Sequence, residues 1–189
     1  MTTKIEPLMT IADLEAMPDD GNRYEIIEGE LFVSRAPGLT HQIVSDNIVF
    51  LVRNYLELNP IGVVVSTPGL ILSDYSGVIP DIVFFNNKTR EKIVSGERLI
   101  SAPDLLIEIL SAGSENIRRD RVAKRQLYAK HAVPEYWLVD RAQRVVEIYL
   151  LRAASLELTA ALQNDDELST AALPGFSCST SQIFKLPQL

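Results

Sequence analysis

The amino-acid sequence predicts a mixed α+β (α/β) fold built on one β-sheet, with a β-hairpin near the N-terminus. Predicted strands outnumber predicted helices, and the helices fall before and after the central strands. Residues 105–110 form an apolar run interrupted by a single carboxylate. Such a run is typical of a central strand that is covered on both faces.

Length and composition indicate one domain spanning residues 1–189. Of these residues, 47% are hydrophobic and 23% are charged, which is an ordinary globular balance. Neither a membrane-spanning apolar stretch nor the apolar core of a signal peptide is visible. The single cysteine, Cys178, excludes an intrachain disulfide and a cysteine-rich zinc site. We therefore expect a cytoplasmic protein with no membrane partner.

The net charge of −7 counts against a tight, nonspecific nucleic-acid binder, because phosphate contacts dominate the affinity of such proteins. It does not exclude an enzyme that acts on nucleic acid. Catalytic carboxylates add negative charge themselves, and a local basic face is sufficient to attract a substrate.

The elements of the N-terminal half follow from periodicity and turn residues. Residues 10–15 predict a short capped helix. Alternating apolar side chains over residues 23–35 predict the hairpin, with Glu28-Gly29 at its turn. Apolar residues at steps of three and four over residues 40–58 predict a long helix.

The remaining elements are shorter, apart from one charged helix that we expect over residues 114–131. An irregular tail is expected over residues 173–189. The strands and loops are predicted as follows: a strand pair over 62–72 around Pro68-Gly69, a strand over 78–85, a loop with a helical turn over 86–102, a strand over 105–110, and strands over 136–139, 145–151 and 156–162.

Two carboxylates occupy unusual places in this pattern. Asp81 follows Pro80 at the start of one apolar strand, and Glu108 lies inside another. A carboxylate in a buried strand is costly unless it is paired or binds a metal. Taken singly, each is also explained by a buried ion pair or a hydrogen bond. Together, on adjacent strands, they predict a hard-oxygen site for Mg²⁺ or Mn²⁺.

The charged helix supplies cations after these strands. Arg121, Lys124, Arg125 and Tyr128 fall on one helical face. A solvated face in which Asp120 pairs with Lys124 explains the pattern equally well. Beside an acidic metal site, the same face would place a lysine near an attacking water and arginines near phosphates.

Several segments together form a recognisable pattern. They are residues 24–31 (YEIIEGEL), His41-Gln42, Pro80-Asp81, residues 108–111 (EILS), Asp120, Lys124, Tyr128 and residues 133–140 (VPEYWLVD). With these segments, nearly the whole chain, from about residue 10 to residue 185, resembles the Uma-type putative restriction endonucleases of the PD-(D/E)XK nuclease superfamily. The resemblance implies a restriction-endonuclease-like central mixed sheet flanked by helices, and metal-dependent cleavage of DNA.

One position departs from the superfamily pattern. The signature would place a lysine at position 110, where this chain has Leu110. The resemblance implies that Lys124 takes over its role, with an ammonium within about 4 Å of the two carboxylates, given the rise of a helix and the reach of lysine. His41 matches the recurrent His-Gln of the family and is placed near the site. Glu30, on the second hairpin strand, is a candidate for a further metal contact, although an exposed strand glutamate is an alternative.

The main hypothesis is a DNA endonuclease in which Asp81 and Glu108 hold Mg²⁺ or Mn²⁺ while Lys124 orients or activates water. A non-catalytic binding or oligomerisation module on the same fold is the alternative, motivated by Leu110 and by the net charge. A hydrolase of small phosphate esters is a third class, without a supporting motif. Because one active site cuts one strand, we also expect a two-fold homodimer that uses apolar strands within residues 145–162.

Overall fold

Two six-stranded sheets make up most of the computed structural model, which describes residues 7–111 and 113–187. The helices are α1 (Ile11–Glu15), α2 (Leu39–Leu58), α3 (Arg90–Ile93), α4 (Ser114–Arg118), α5 (Arg125–Lys130) and α6 (Thr180–Ile183). The strands are β1 (Arg23–Ile27), β2 (Glu30–Ser34), β3 (Gly62–Ser66), β4 (Leu70–Ser73), β5 (Ser76–Val78), β6 (Ile82–Asn86), β7 (Val94–Ser95), β8 (Arg98–Leu99), β9 (Leu105–Ile109), β10 (Glu135–Asp140), β11 (Val145–Arg152), β12 (Ser155–Gln163), β13 (Glu167–Ser169) and β14 (Ser177–Ser179).

The central sheet is mixed and has the order β12-β11-β10-β9-β6-β3. Strands β9 and β10 pair in parallel, and the other neighbours are antiparallel. Every residue of β9 and β10 is buried, as a strand covered on both faces requires. This arrangement confirms the mixed α+β fold and the central position that the apolar run predicts.

Helix α2 and the C-terminal segment cover one face of the central sheet and form the first core cluster. Helix α5 and the second sheet contribute to the second core cluster on the opposite face. Alternate residues of β9 enter the two clusters: Ile107 belongs to the first, whereas Leu106, and Leu110 just after the strand, belong to the second. Glu108 therefore points towards the second sheet and the charged helical segment.

The second sheet corrects the expectation of a single sheet. Its order is β2-β1-β5-β4-β8-β7, and it begins with the predicted hairpin. Glu28 and Gly29 adopt positive φ angles of 52° and 83°, which match the twist of a two-residue hairpin turn. The predicted strand pair over residues 62–72 is wrong in its pairing, because β3 pairs with β6 and β4 pairs with β5 and β8. The chain changes sheets at Thr67, where φ is 48°.

Two other segments are more regular than the sequence indicates. The tail expected to be irregular from residue 173 contains β14 and α6, and a capping box at Ser179 and Gln182 starts that helix. The charged helix is continuous from α4 to α5, but residues Arg119–Lys124 form a π-helical segment. In residues 7–111 and 113–187, no helix combines the length and the apolar content needed to cross a membrane.

Candidate active site

Asp81 and Glu108 lie side by side at the end of two paired strands. Ile82 is opposite Ile107 in the antiparallel β6–β9 register, so the next pair outward is Asp81 and Glu108. The backbone N–H of Ile109 donates to Asp81 Oδ2 at 2.8 Å, which fixes the Asp81 carboxylate against β9. Both carboxylates are buried and both line one cavity. The sequence therefore identifies a pair of carboxylates that the fold brings together.

Lys124 reaches this pair from the π-helical segment. Its Nζ lies 2.9 Å from Glu108 Oε1 and 2.8 Å from Glu25 Oε1. Its distance to Asp120 Oδ1 is 4.0 Å. Because only 1% of the Lys124 side chain is exposed, the reading of a solvated helix face is wrong at this residue. The ammonium lies within the reach predicted from the helix geometry, next to Glu108.

The wider π-helical turn brings the charged side chains of Arg119, Asp120 and Lys124 close together. Hydrogen bonds from residue i to residue i+5 place Arg119 and Lys124 on one side of the segment, and both are buried together with Asp120. Segments of this kind occur frequently at functional sites. The Tyr136 hydroxyl, from β10, donates to the backbone oxygen of Asp120 at 3.0 Å and ties the segment to the central sheet.

Glu25 belongs to the same cluster, and the sequence interpretation did not identify it. It lies on β1, accepts a hydrogen bond from the Ile79 N–H at 2.7 Å, and stands 3.4 Å from Arg119 Nη1. The run Glu25-Ile26-Ile27 is buried throughout, but this burial comes from the tertiary fold and not from a local sequence pattern. A carboxylate in such a run calls for a buried partner, as it does for Glu108.

The fold does not bring Glu30 into this cluster. Its carboxylate accepts a hydrogen bond from Arg118 Nη2 at 2.6 Å, and 57% of its side chain is exposed. Glu30 is also absent from the described residues that line the cavity. The alternative of an exposed strand glutamate describes its position.

His41 is buried at the start of α2 and lies next to Asp81. Its Nε2 is 3.1 Å from Asp81 Oδ1, and its Nδ1 is 3.5 Å from Ser111 Oγ. The ring therefore holds the Asp81 oxygen that the Ile109 N–H does not bind. His41 lies close to the site, where the His-Gln motif places it.

Two residues on successive turns of the charged helix hold Glu108. Its Oε1 accepts from Lys124 Nζ and, at 2.7 Å, from the Tyr128 hydroxyl. Neither of these contacts uses Oε2. Arg121 and Arg125, which share a predicted face with Lys124, point elsewhere: Arg121 pairs with Glu147, and Arg125 packs over the Tyr149 ring.

Burial and charge set the protonation of the cluster. Burial raises the pKa of Glu108 to about 8; Lys124 opposes the rise, and three neighbouring carboxylates add to it. Burial also acts to raise the pKa of Asp81, but contacts with His41 and the Ile109 N–H outweigh burial and hold that pKa below its usual value. Burial acts to lower the pKa of Lys124, whereas Glu108 and Glu25 raise it above its usual value. Lys124 is therefore an ammonium.

The cavity has a volume of about 220 Å³ and joins these side chains to solvent. Its buried floor contains five groups of the cluster and the neighbouring His41. The five cluster groups are Glu25, Asp81, Glu108, Arg119 and Lys124. Arg23 and Arg35, from the open end of the hairpin, and Arg141, from the turn after β10, line its outer part. The site is thus an acidic floor with an arginine rim.

The chain matches the model of one protein family. The model of the Uma2 family, described as "Putative restriction endonuclease", matches residues 11–181. The chain belongs to the Uma2 family. No curated protein matches it.

A solved structure supports the fold of this Uma2-family chain. It is described as a putative nuclease belonging to DUF820 from Anabaena variabilis ATCC 29413. The TM-score is 0.75 at 20% sequence identity, and the match covers 93% of this chain and 97% of the other. At that identity, the likeness shows a shared fold.

Restriction-endonuclease-like families generally use divalent metals. Within residues 7–111 and 113–187, no group of three or more His, Cys, Asp or Glu side chains is arranged as a metal-binding cluster. Mg²⁺, however, keeps several waters and is commonly bound through one or two carboxylates together with substrate phosphates. Asp81 and Glu108 provide such a pair facing a cavity, and Glu108 Oε2 is outside the contacts with Lys124 and Tyr128.

The local charge also fits a divalent cation. Four carboxylates, those of Glu25, Asp81, Glu108 and Asp120, face the two cations Arg119 and Lys124. The excess of negative charge is part of what raises the pKa of Glu108. A bound cation would remove this repulsion, so the residues present fit the metal that the family implies.

Proposed function

We propose that this Uma2-family protein is a divalent-metal-dependent DNA endonuclease that hydrolyses phosphodiester bonds. The observation that carries the proposal is the juxtaposition of Asp81 and Glu108 on paired strands, with the Lys124 ammonium 2.9 Å from Glu108 Oε1 in one cavity. Asp81 and Glu108 would hold Mg²⁺ or Mn²⁺. When bound, such a cation polarises the phosphodiester and lowers the pKa of the attacking water.

Lys124 serves this reaction as a donor. Its pKa is raised by three carboxylates, those of Glu108, Glu25 and Asp120, so it keeps its proton and does not act as a general base. An ammonium in a buried site stabilises negative charge that develops on the phosphate and orients the attacking water by hydrogen bonding. Lys124 therefore takes the role of the signature lysine, which this chain lacks because it has Leu110 at that position.

Neighbouring residues position Asp81, Glu108 and Lys124. His41 and the Ile109 N–H hold the two oxygens of Asp81. Tyr128 holds Glu108, and Glu25 draws Lys124 from the opposite side at 2.8 Å. Buried neighbours of this kind fix the rotamers of the reacting groups before substrate arrives. In hydrolysis, the water oxygen forms the new P–O bond and the proton that the water loses passes to solvent, while the bond to the leaving sugar oxygen breaks and that oxygen takes up a proton from solvent.

The test is cleavage of supercoiled plasmid and of single-stranded DNA with Mg²⁺, with Mn²⁺ and with EDTA. We expect cleavage that requires the metal and is lost in Asp81→Asn and Glu108→Gln. Asp46→Asn and Glu57→Gln are matched controls, because both side chains are exposed on α2. They should cleave like the wild type.

Metal titration separates this proposal from a non-catalytic binding or oligomerisation module. The cluster alone, with Lys124 between Glu25 and Glu108, is also compatible with a structural ion network. Calorimetry with Mn²⁺ should show binding that Asp81→Asn and Glu108→Gln remove. No cleavage with either metal, combined with no binding that depends on these carboxylates, would establish the non-catalytic module instead.

A further inference from the structure

The arginines at the rim of the cavity differ from the other cations near the site. Arg118, Arg119, Arg121 and Lys124 each form an ion pair with a carboxylate. Within the described part of the chain, neither Arg23 nor Arg35 has a carboxylate within ion-pair distance. Unpaired arginines beside a carboxylate-rich floor stand out in a chain with a net charge of −7.

Arg141 is the third rim cation and is fixed in place without being neutralised. Its Nε donates to the backbone oxygen of Leu110 at 3.2 Å, and its Nη1 donates to Thr40 Oγ1 at 2.6 Å. The Nη2 atom of Arg141 takes part in neither of these two hydrogen bonds. Leu110 directly follows β9, so the guanidinium is anchored at the strand end that carries Glu108.

The two sources of rim cations are separate elements of the fold. Arg23 and Ser34 are register partners at the open end of the β1–β2 hairpin, and Arg35 follows Ser34. Arg141 lies on the turn after β10, in the central sheet. Both elements line the cavity that contains Asp81 and Glu108. If one phosphate of a nucleic-acid backbone binds at the floor of the cavity, neighbouring phosphates lie close to the arginines at the rim.

The lining also indicates which part of a nucleic acid the cavity contacts. Its described residues include four arginines and no Phe, Tyr or Trp, and the one imidazole, that of His41, is buried against Asp81, so they offer no open platform on which a base could stack. Arginine, by contrast, forms strong charge-assisted hydrogen bonds with phosphate oxygens. The chemistry of the rim is that of the sugar-phosphate backbone.

We propose that Arg23, Arg35 and Arg141 form a subsite for the DNA phosphates that flank the scissile phosphate, and that this cavity engages the backbone without reading bases. The inference rests on the proposed function, because it identifies how the substrate of that site is held. These arginines contact substrate phosphates away from the bond that breaks. Their contribution is sequence-independent affinity and register of the strand across Asp81 and Glu108.

The salt dependence of DNA binding tests the subsite directly. A labelled 20-base-pair duplex in EDTA is titrated with protein between 50 and 200 mM salt, so that binding is measured without cleavage. Each phosphate contact adds about 0.9 to the slope of log K against log salt concentration. We expect Arg23→Gln and Arg35→Gln each to reduce that slope by about one and to weaken binding at low salt by roughly tenfold.

Arg53→Gln is the matched control, because Arg53 is an exposed arginine on α2 outside the cavity lining. It removes the same charge and should leave the slope unchanged. Arg141→Gln should resemble the other rim variants. Because Arg141 also forms hydrogen bonds with Leu110 and Thr40, the melting temperature of Arg141→Gln is measured in parallel. If Arg141→Gln unfolds, the test rests on the Arg23 and Arg35 variants.

The outcomes separate this inference from the proposed function. Rim variants whose slopes match that of Arg53→Gln, or a wild type that does not bind the duplex, would overturn the subsite. If the rim variants show the expected reduction in salt slope but the wild-type protein cleaves no DNA, the phosphate subsite stands and the proposed nuclease activity is rejected. Metal-dependent cleavage that Asp81→Asn removes, with unchanged slopes in the rim variants, would retain the nuclease and reject the subsite.

Discussion

Lys124 is a buried ammonium between Glu25 and Glu108, so replacing it affects both the fold and the reaction. Because its side chain is buried between two carboxylates, Lys124→Ala should not leave folding intact. Removing one partner of a buried ion pair typically costs about 3–5 kcal/mol, because the remaining charges lose their counterion. Denaturant unfolding therefore has to accompany any activity assay on this residue.

We expect Lys124→Ala to lower the cleavage rate by roughly 10²–10³-fold, as the removal of one preorganised donor commonly does. Lys124→Gln should retain more stability than Lys124→Ala, because the amide can still donate to Glu108, but it should lose the charge-dependent part of the rate. The measurement is single-turnover plasmid cleavage at protein concentrations where each variant is folded by circular dichroism.

The matched control for Lys124 is Lys130→Ala on the next helical turns. Lys130 Nζ lies 2.6 Å from Glu28 Oε2, and both side chains are largely exposed. An exposed pair is worth less than about 1 kcal/mol, so this variant should fold and cleave like the wild type. A folded Lys124→Ala variant with wild-type cleavage would show that Lys124 is only a structural cation.

At the residue scale, the sequence reveals those groups whose placement conflicts with their neighbours. Asp81 and Glu108 interrupt apolar strands, and the fold places them together. Glu25 precedes a short apolar pair in a predicted hairpin, where an exposed glutamate is equally acceptable, so its burial could not be read locally. Its partner Lys124 comes from a segment 99 positions later in the chain, and only the tertiary structure joins them.

At the scale of elements, local signals identify helices and turns better than they identify pairing. The hairpin turn at Glu28-Gly29 follows from Gly29, which tolerates positive φ between two alternating apolar segments. The separation of β3 and β4 into different sheets does not follow, because each pairs with strands that come later in the chain. The π-helical segment is also beyond local propensity, since the buried contacts of Arg119, Asp120 and Lys124 hold it.

Gly29 provides a test of the hairpin. Its φ is 83°, and an added Cβ would come within 2.7 Å of Leu8 Cδ2 and 2.8 Å of Leu8 Cβ. Gly29→Ala should therefore be destabilising through both the left-handed backbone, at about 1–2 kcal/mol, and the clash. Gly21 is the matched control, because its φ is 82° and an added Cβ meets nothing within 4 Å.

Urea unfolding of the two alanine variants separates these contributions. Gly21→Ala reports the backbone cost alone, and the additional loss of unfolding free energy in Gly29→Ala reports the contact with Leu8. Equal losses in the two variants would mean that Leu8 does not pack against the hairpin turn. The Leu8 side chain would then make no contribution to the stability of the turn.

At the scale of the whole molecule, the two core clusters share the central sheet. Ile107 belongs to the first cluster and its neighbour Leu106 to the second, so neither cluster can lose its packing without disturbing the same strand. We propose that residues 1–189 form a single domain that unfolds in one cooperative transition. Fluorescence of Trp137, in the first cluster, and absorbance of Tyr128 and Tyr136, in the second, should give one melting midpoint. Two separated midpoints would assign the sheets to independent units.

The edge of the central sheet is where we expect a second copy to bind. Strand β12 pairs with β11 and lies at one end of the strand order, so its outer backbone groups are available for pairing with another strand. Leu158 on β12 is 54% exposed, and it lies within residues 145–162, the segment from which the sequence predicts a homodimer interface. A two-fold pairing of β12 with its own copy would supply the two active sites that cleavage of both DNA strands requires.

Light scattering after size exclusion tests this assembly. The wild type should have twice the 21.0 kDa chain mass, and Leu158→Lys should shift it towards a single chain, because charge on an edge strand opposes pairing. Leu58→Lys is the matched control, since Leu58 is 85% exposed at the end of α2, away from that edge. If the dimer cuts both strands in one encounter, Leu158→Lys should convert supercoiled plasmid mainly to the nicked form while Leu58→Lys still linearises it. A wild-type protein that remains monomeric at high concentration would reject the dimer and leave each active site to nick one strand independently.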